Sequence, residues 1–91
     1  MGKTMQQIGT IVMAYPAHQK RPWLQNPNGN TGAAITPVLT AMVAAEFDAL
    51  FVDFTRYIQV DNALGNVVMS KDELKQCNTW ADLSGYVFAL Q

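Results

Sequence analysis

The sequence predicts a small all-α domain, and three observations predict it. Apolar residues recur at spacings of three and four in the stretches 3–15, 39–58 and 80–90. Residues suited to starting helices stand ahead of apolar runs at Thr36-Pro37, Ser70 and Asn78-Thr79. Alternating apolar and polar stretches, the mark of half-buried strands, are absent. At 91 residues the chain has room for one hydrophobic core, so residues 1–91 are read as one domain.

The first helix is expected over residues 3–15, where Met5, Ile8, Val12 and Tyr15 form one stripe and Pro16 ends it. Residues 16–35 then hold three prolines, two glycines and three asparagines, a composition that breaks helices and strands and predicts a long loop. Trp23 and Leu24 are its natural anchors to the core. Thr36 is placed to cap the next helix with Pro37 at its first position, followed by Leu39, Val43, Phe47, Leu50, Phe51, Phe54 and Ile58 at helical spacing. This stretch fits a single helix to about Gln59, or a turn followed by a helix capped by Asp48.

Asp61-Asn62 and Gly65-Asn66 mark a turn, and Ser70-Lys71-Asp72-Glu73 has the reciprocal form of a capping box opening a short helix over 71–77. Asn78 or Thr79 caps the last helix, in which Trp80, Leu83, Val87 and Leu90 share a face and Asp82 complements the helix dipole. The expected architecture is a small four-helix bundle with a long loop after the first helix.

Composition narrows the function classes. Nearly half the residues are apolar and 14% are charged, which excludes the low-hydrophobicity composition of disordered chains. No apolar run exceeds five residues, as in Ala41 to Ala45, far short of a membrane span. The N-terminus lacks a signal-peptide pattern and one cysteine makes no disulfide framework, so the expected location is cytoplasmic. Charge is uneven: residues 1–45 carry Lys3, Lys20 and Arg21 and no acid, whereas residues 46–91 carry all seven acids against three cations. The halves are therefore expected to face different partners or each other. An acidic second half argues against nucleic acid as a partner, and His18-Gln19-Lys20-Arg21 is too short to reverse this.

Catalytic constellations are lacking. His18, the single histidine, sits in the long loop beside two cations and is read as solvent-exposed. Cys77 has no neighbour in sequence that would depress its thiol pKa and is read as a small buried hydrophobe. Gly2-Lys3-Thr4 lacks the upstream glycine and strand of a phosphate-binding loop, and no His, Cys and acid spacing suits a metal. The Asn26 to Gly32 stretch is read as an ordinary loop, and Phe47, Phe51, Phe54 and Tyr57 as core. The chain is expected not to be an enzyme.

Elimination leaves the tripeptide Asp48-Ala49-Leu50. Ile35-Thr36-Pro37, then Asp48-Ala49-Leu50 about a dozen residues later, then Asn78-Thr79-Trp80-Ala81-Asp82-Leu83 and Tyr86-Val87, together resemble the acyl carrier and peptidyl carrier protein family over residues 35–88. The resemblance implies a four-helix carrier fold in which a serine between Asp48 and Leu50 holds 4′-phosphopantetheine for acyl groups in polyketide, fatty-acid or non-ribosomal peptide assembly. It implies a phosphopantetheinyl transferase and acyl-transferring synthase enzymes as partners, and a monomer.

Position 49 departs from the family: Ala49 has no hydroxyl, so no arm attaches to the sequence as written, and the chain is either a carrier with its serine replaced or a pseudo-carrier. Asp53 and Arg56 fall where the family places core residues, and the charge around the tripeptide is low. The alternative is a non-enzymatic helical protein–protein interaction module with one continuous helix over 37–59, in which Ala49 is a good helix former.

Overall fold

The computed structural model describes residues 2–91, and they form five α-helices with no strand among them. Helix α1 spans Met5–Met13, α2 Thr36–Ala41, α3 Ala44–Arg56, α4 Lys71–Lys75 and α5 Trp80–Ala89. No helix of the described residues is long and apolar enough to cross a membrane.

Thr4 starts α1 with a capping box: its side chain accepts from the Gln7 N–H, and the Gln7 side chain accepts from the Thr4 N–H. Ile8 and Val12 are buried while Met5, expected on the same stripe, is largely exposed. The helix stops at Met13, earlier than expected, because Pro16 supports a 3₁₀ turn over Tyr15–Ala17 that keeps Tyr15 in the core. Helix α1 packs along α5, and the two ends of the chain meet where the Lys3 N–H donates to Gln91 Oε1 at 2.9 Å.

Between the 3₁₀ turn and α2 the backbone makes turns and one isolated bridge. Pro27 to Asn30 closes a turn with Asn28 and Gly29 both at positive φ (53° and 80°), the conformation that Asn-Gly supplies at least cost. Asn26 and Asn30 each accept, through their side chains, the N–H two residues on. The end of the segment then closes on α5. Trp80 donates to the Ala33 carbonyl and Ala81 to that of Thr31, satisfying two amide groups that the start of a helix leaves without intrahelical partners.

The stretch expected as one helix over 37–59, or as a turn before Asp48, breaks elsewhere. Met42 and Val43 are extended (ψ 140° and 159°), which separates α2 from α3. Val43, read as a core position, is 61% exposed; the break instead turns Leu39 and Phe47 inward together. Neither Thr36 nor Asp48 caps a helix. The Thr36 hydroxyl donates to Asn78 Oδ1 at 2.8 Å, and Asp48 lies in the second turn of α3.

Beyond Arg56 the helix widens into a π turn over Tyr57–Asp61, and it ends with Ala63 in the left-handed region. Ser70 precedes α4, but its side chain makes no capping bond; its N–H donates to the Tyr86 hydroxyl, joining α4 to α5. Helix α4 ends at Lys75, two residues early. Thr79, one of the two residues expected to cap α5, does so, and Asp82 returns the bond to complete a capping box.

Cys77 is buried, and burial, with Asp82 and Glu73 nearby, pushes its thiol pKa up to about 11. The fold thus favours the protonated thiol, so the stability Cys77 contributes is full below its unfolded pKa and is lost as pH rises through 11. The stability difference between the wild type and Cys77→Ala, measured by urea unfolding, should therefore shrink as pH rises from about 9 to about 11. A gap that stays constant across this range contradicts the assignment.

Candidate functional site

Asp48, Ala49 and Leu50 do not share one face of their helix. They occupy the second turn of α3, a helix that begins at Ala44, so Asp48 and Ala49 face solvent while Leu50 is 1% exposed. Leu50 lines a small interior space together with Ile35, Leu39, Phe54, Leu74 and Leu83. Burying such a side chain is worth about 1.5–3 kcal/mol, which makes Leu50 a stability residue. Asp48 pairs with Lys71 of α4 at 3.0 Å, with both side chains about half exposed. A pair this open contributes little energy. It orients Asp48 toward α4.

The exposed face of α3 carries Ala45, Asp48, Ala49, Val52 and Arg56 at spacings of three and four. Its centre is apolar, with Val52 65% exposed. Beside it lies the segment that follows the 3₁₀ turn, and this neighbourhood was hidden from sequence reading.

Two contacts bring that segment to α3. Tyr15, with no exposed surface, donates its hydroxyl to Asp53 Oδ2 at 2.7 Å, and the Lys20 N–H reaches the same oxygen at 3.3 Å. Burial raises the Tyr15 pKa well above its usual value, and the Asp53 carboxylate raises it further. Tyr15 therefore stays a hydrogen-bond donor.

The aromatic rings hold this geometry. Tyr15 meets Phe54 edge-on at 4.9 Å, and lies 5.2 Å from Tyr57, whose hydroxyl donates to the Ile11 carbonyl of α1. His18 is exposed and stacks on Tyr57 at 5.4 Å. Asp53, which falls where the resemblance placed a core residue, is instead the acceptor that ties the first half of the chain to the second.

The result is a groove of about 510 Å³ between the segment and α3. Lys20, Arg21 and Trp23 line one side, and Asp48, Ala49, Val52, Asp53 and Arg56 of α3 the other. A smaller, more polar recess adjoins it, where His18, Tyr57 and Asp61 join Lys20, Asp53 and Arg56. The signal available in the sequence was the absence of acids before residue 46. Arg56 could not be added to Lys20 and Arg21 without knowing which face of α3 the segment covers.

Comparison with protein families, curated proteins and solved structures finds no match to the chain.

Removing the Asp53 carboxylate leaves a buried tyrosine hydroxyl without its acceptor, which costs about 1–3 kcal/mol. Asp53→Ala should lower the unfolding free energy by that amount in urea titration and speed amide exchange at Lys20. A loss below about 0.5 kcal/mol is the result that counts against the tie.

Proposed function

We propose that this domain is a carrier-like, non-catalytic protein that meets acyl-handling enzymes through the exposed face of α3. Ala49 stands where an acyl carrier would hold its 4′-phosphopantetheine. The observation that carries the reading is this face: an exposed apolar centre of Ala45, Ala49 and Val52, flanked by Asp48 and Arg56, on the helix that bears the Asp48-Ala49-Leu50 signature. Element order supports it as well. With α2 counted as a turn within the first connection, α1, α3, α4 and α5 follow the four-helix order of carriers, and the Thr79–Asp82 capping box opens the last helix.

In this reading the domain makes and breaks no bonds. Without a hydroxyl at position 49 it presents a carrier surface to a phosphopantetheinyl transferase or an acyl-transferring synthase and takes no arm. It serves as a docking element in polyketide, fatty-acid or peptide assembly.

A second reading is favoured by one specific observation. Helix α3 starts at Ala44, so the amide groups that its first turn leaves unbonded belong to Ala44, Ala45 and Glu46 and lie before Ala49. A phosphodiester on residue 49 would lack the helix-terminus setting that favours anions. A helical interaction module, with Ala49 simply a good helix former, fits that placement.

The two readings separate on one experiment. Ala49→Ser, incubated with coenzyme A and a promiscuous phosphopantetheinyl transferase, should gain about 340 Da by intact mass spectrometry if the carrier reading holds. No gain under conditions that load a control carrier sinks it and leaves the interaction module.

A further inference from the structure

We propose that the groove between the Gln19–Leu24 turn and α3 binds the phosphate group of a small organic phosphoester. Three cations line it, Lys20 and Arg21 from the turn and Arg56 from α3. Among the described residues the one ion pair is Lys71 with Asp48, so none of the three has a carboxylate partner. The two acids that also line the groove are already engaged: Asp48 by Lys71, and Asp53 by the Tyr15 hydroxyl and the Lys20 N–H. Each approaches the groove with part of its charge answered elsewhere.

The cations stand on a braced support. The Gln19 side chain donates to the Leu24 carbonyl at 2.7 Å and accepts the Leu24 N–H at 3.0 Å, closing the turn that holds Lys20 and Arg21. Within it the Trp23 N–H donates to the Arg21 carbonyl at 2.8 Å, and Leu24 is anchored in the core. Arg56 projects from a helix. Binding therefore orders little backbone, and that cost is usually what weakens ligand sites on loops.

Phosphate is the anion this arrangement suits. Two guanidinium groups present planar donor forks to a tetrahedral dianion, and an ammonium adds a third charge. Apart from Asp48 and Asp53, the remaining lining is apolar: Trp23, Ala49 and Val52 offer surface to an organic body attached to the phosphate. A groove of about 510 Å³ suits a small molecule. It is too small, with three cations, for the extended phosphate contacts of nucleic acid. The site is independent of the carrier reading, whose covalent test at position 49 can fail without touching it.

Phenyl phosphate is the probe, followed by amide NMR of the full chain up to about 10 mM ligand, a range that covers weak small-ligand affinities. The expected result is saturable shifts at Arg21, Trp23, Ala49, Val52 and Arg56, with inorganic phosphate binding more weakly and phenol not at all. Arg56→Gln should weaken binding about tenfold, and Arg21→Gln, on the other wall, keeps the test open should the first variant fold poorly. Lys3→Gln, a cation outside the groove, should leave binding unchanged. Three results overturn the proposal: shifts that do not saturate, affinity that survives both arginine substitutions, or phenol binding as well as its phosphate. Equal affinity for inorganic phosphate overturns the assignment of an organic ligand.

Discussion

Tyr15 has no exposed surface, and its hydroxyl has one acceptor, the Asp53 carboxylate at 2.7 Å. Much of the structure follows from satisfying that pair. The hydroxyl cannot stay buried without a partner, so the turn after α1 must lie against α3, and the Lys20 N–H then shares the same oxygen. Phe54 and Tyr57, on the same side of α3 and its extension, close around the ring and link to α1 through the Ile11 carbonyl. That hydrogen bond between chain halves, together with the burial of Phe47, Leu50 and Phe54, fixes which face of α3 is covered and which is left exposed.

The exposed face acquires its chemistry from that choice. Asp48 and Ala49 point outward and Leu50 inward because α3 starts at Ala44 and buries Phe47, Leu50 and Phe54. The segment pinned by Asp53 carries Lys20 and Arg21 to Arg56, so the acid-free first half meets the acidic second half at a place where the acids are already occupied. The uneven charge in the sequence thus becomes a cationic groove beside Ala49. It suits a small anion, whereas the overall balance argued only against nucleic acid.

The legible parts of the sequence were those governed by local chemistry. Helical spacing marked Ile8, Val12, Leu39, Leu50, Phe54, Leu83 and Val87, and all are buried. Thr79 was legible as a candidate cap because its bond, to the Asp82 N–H, spans only three residues. The break at Met42 and Val43 was not legible: Val43 continues the apolar spacing, and only the competing demand to bury both Leu39 and Phe47 expels it. Ser70 looked like a capping box but makes no capping bond through its side chain, and its backbone N–H is taken by Tyr86, sixteen residues on. The groove was hidden for the same reason, since it depends on the contact between Tyr15 and Asp53, 38 residues apart.

The most direct measurement of this account is a double-mutant cycle on that contact, with Tyr15→Phe, Asp53→Ala and the pair compared by equilibrium unfolding. If the hydroxyl and carboxylate hold the two halves together, the cycle returns a coupling energy of about 1–3 kcal/mol. Substitutions that add to within about 0.3 kcal/mol would contradict the account, because the covered face of α3 and the groove beside it would then owe nothing to that bond.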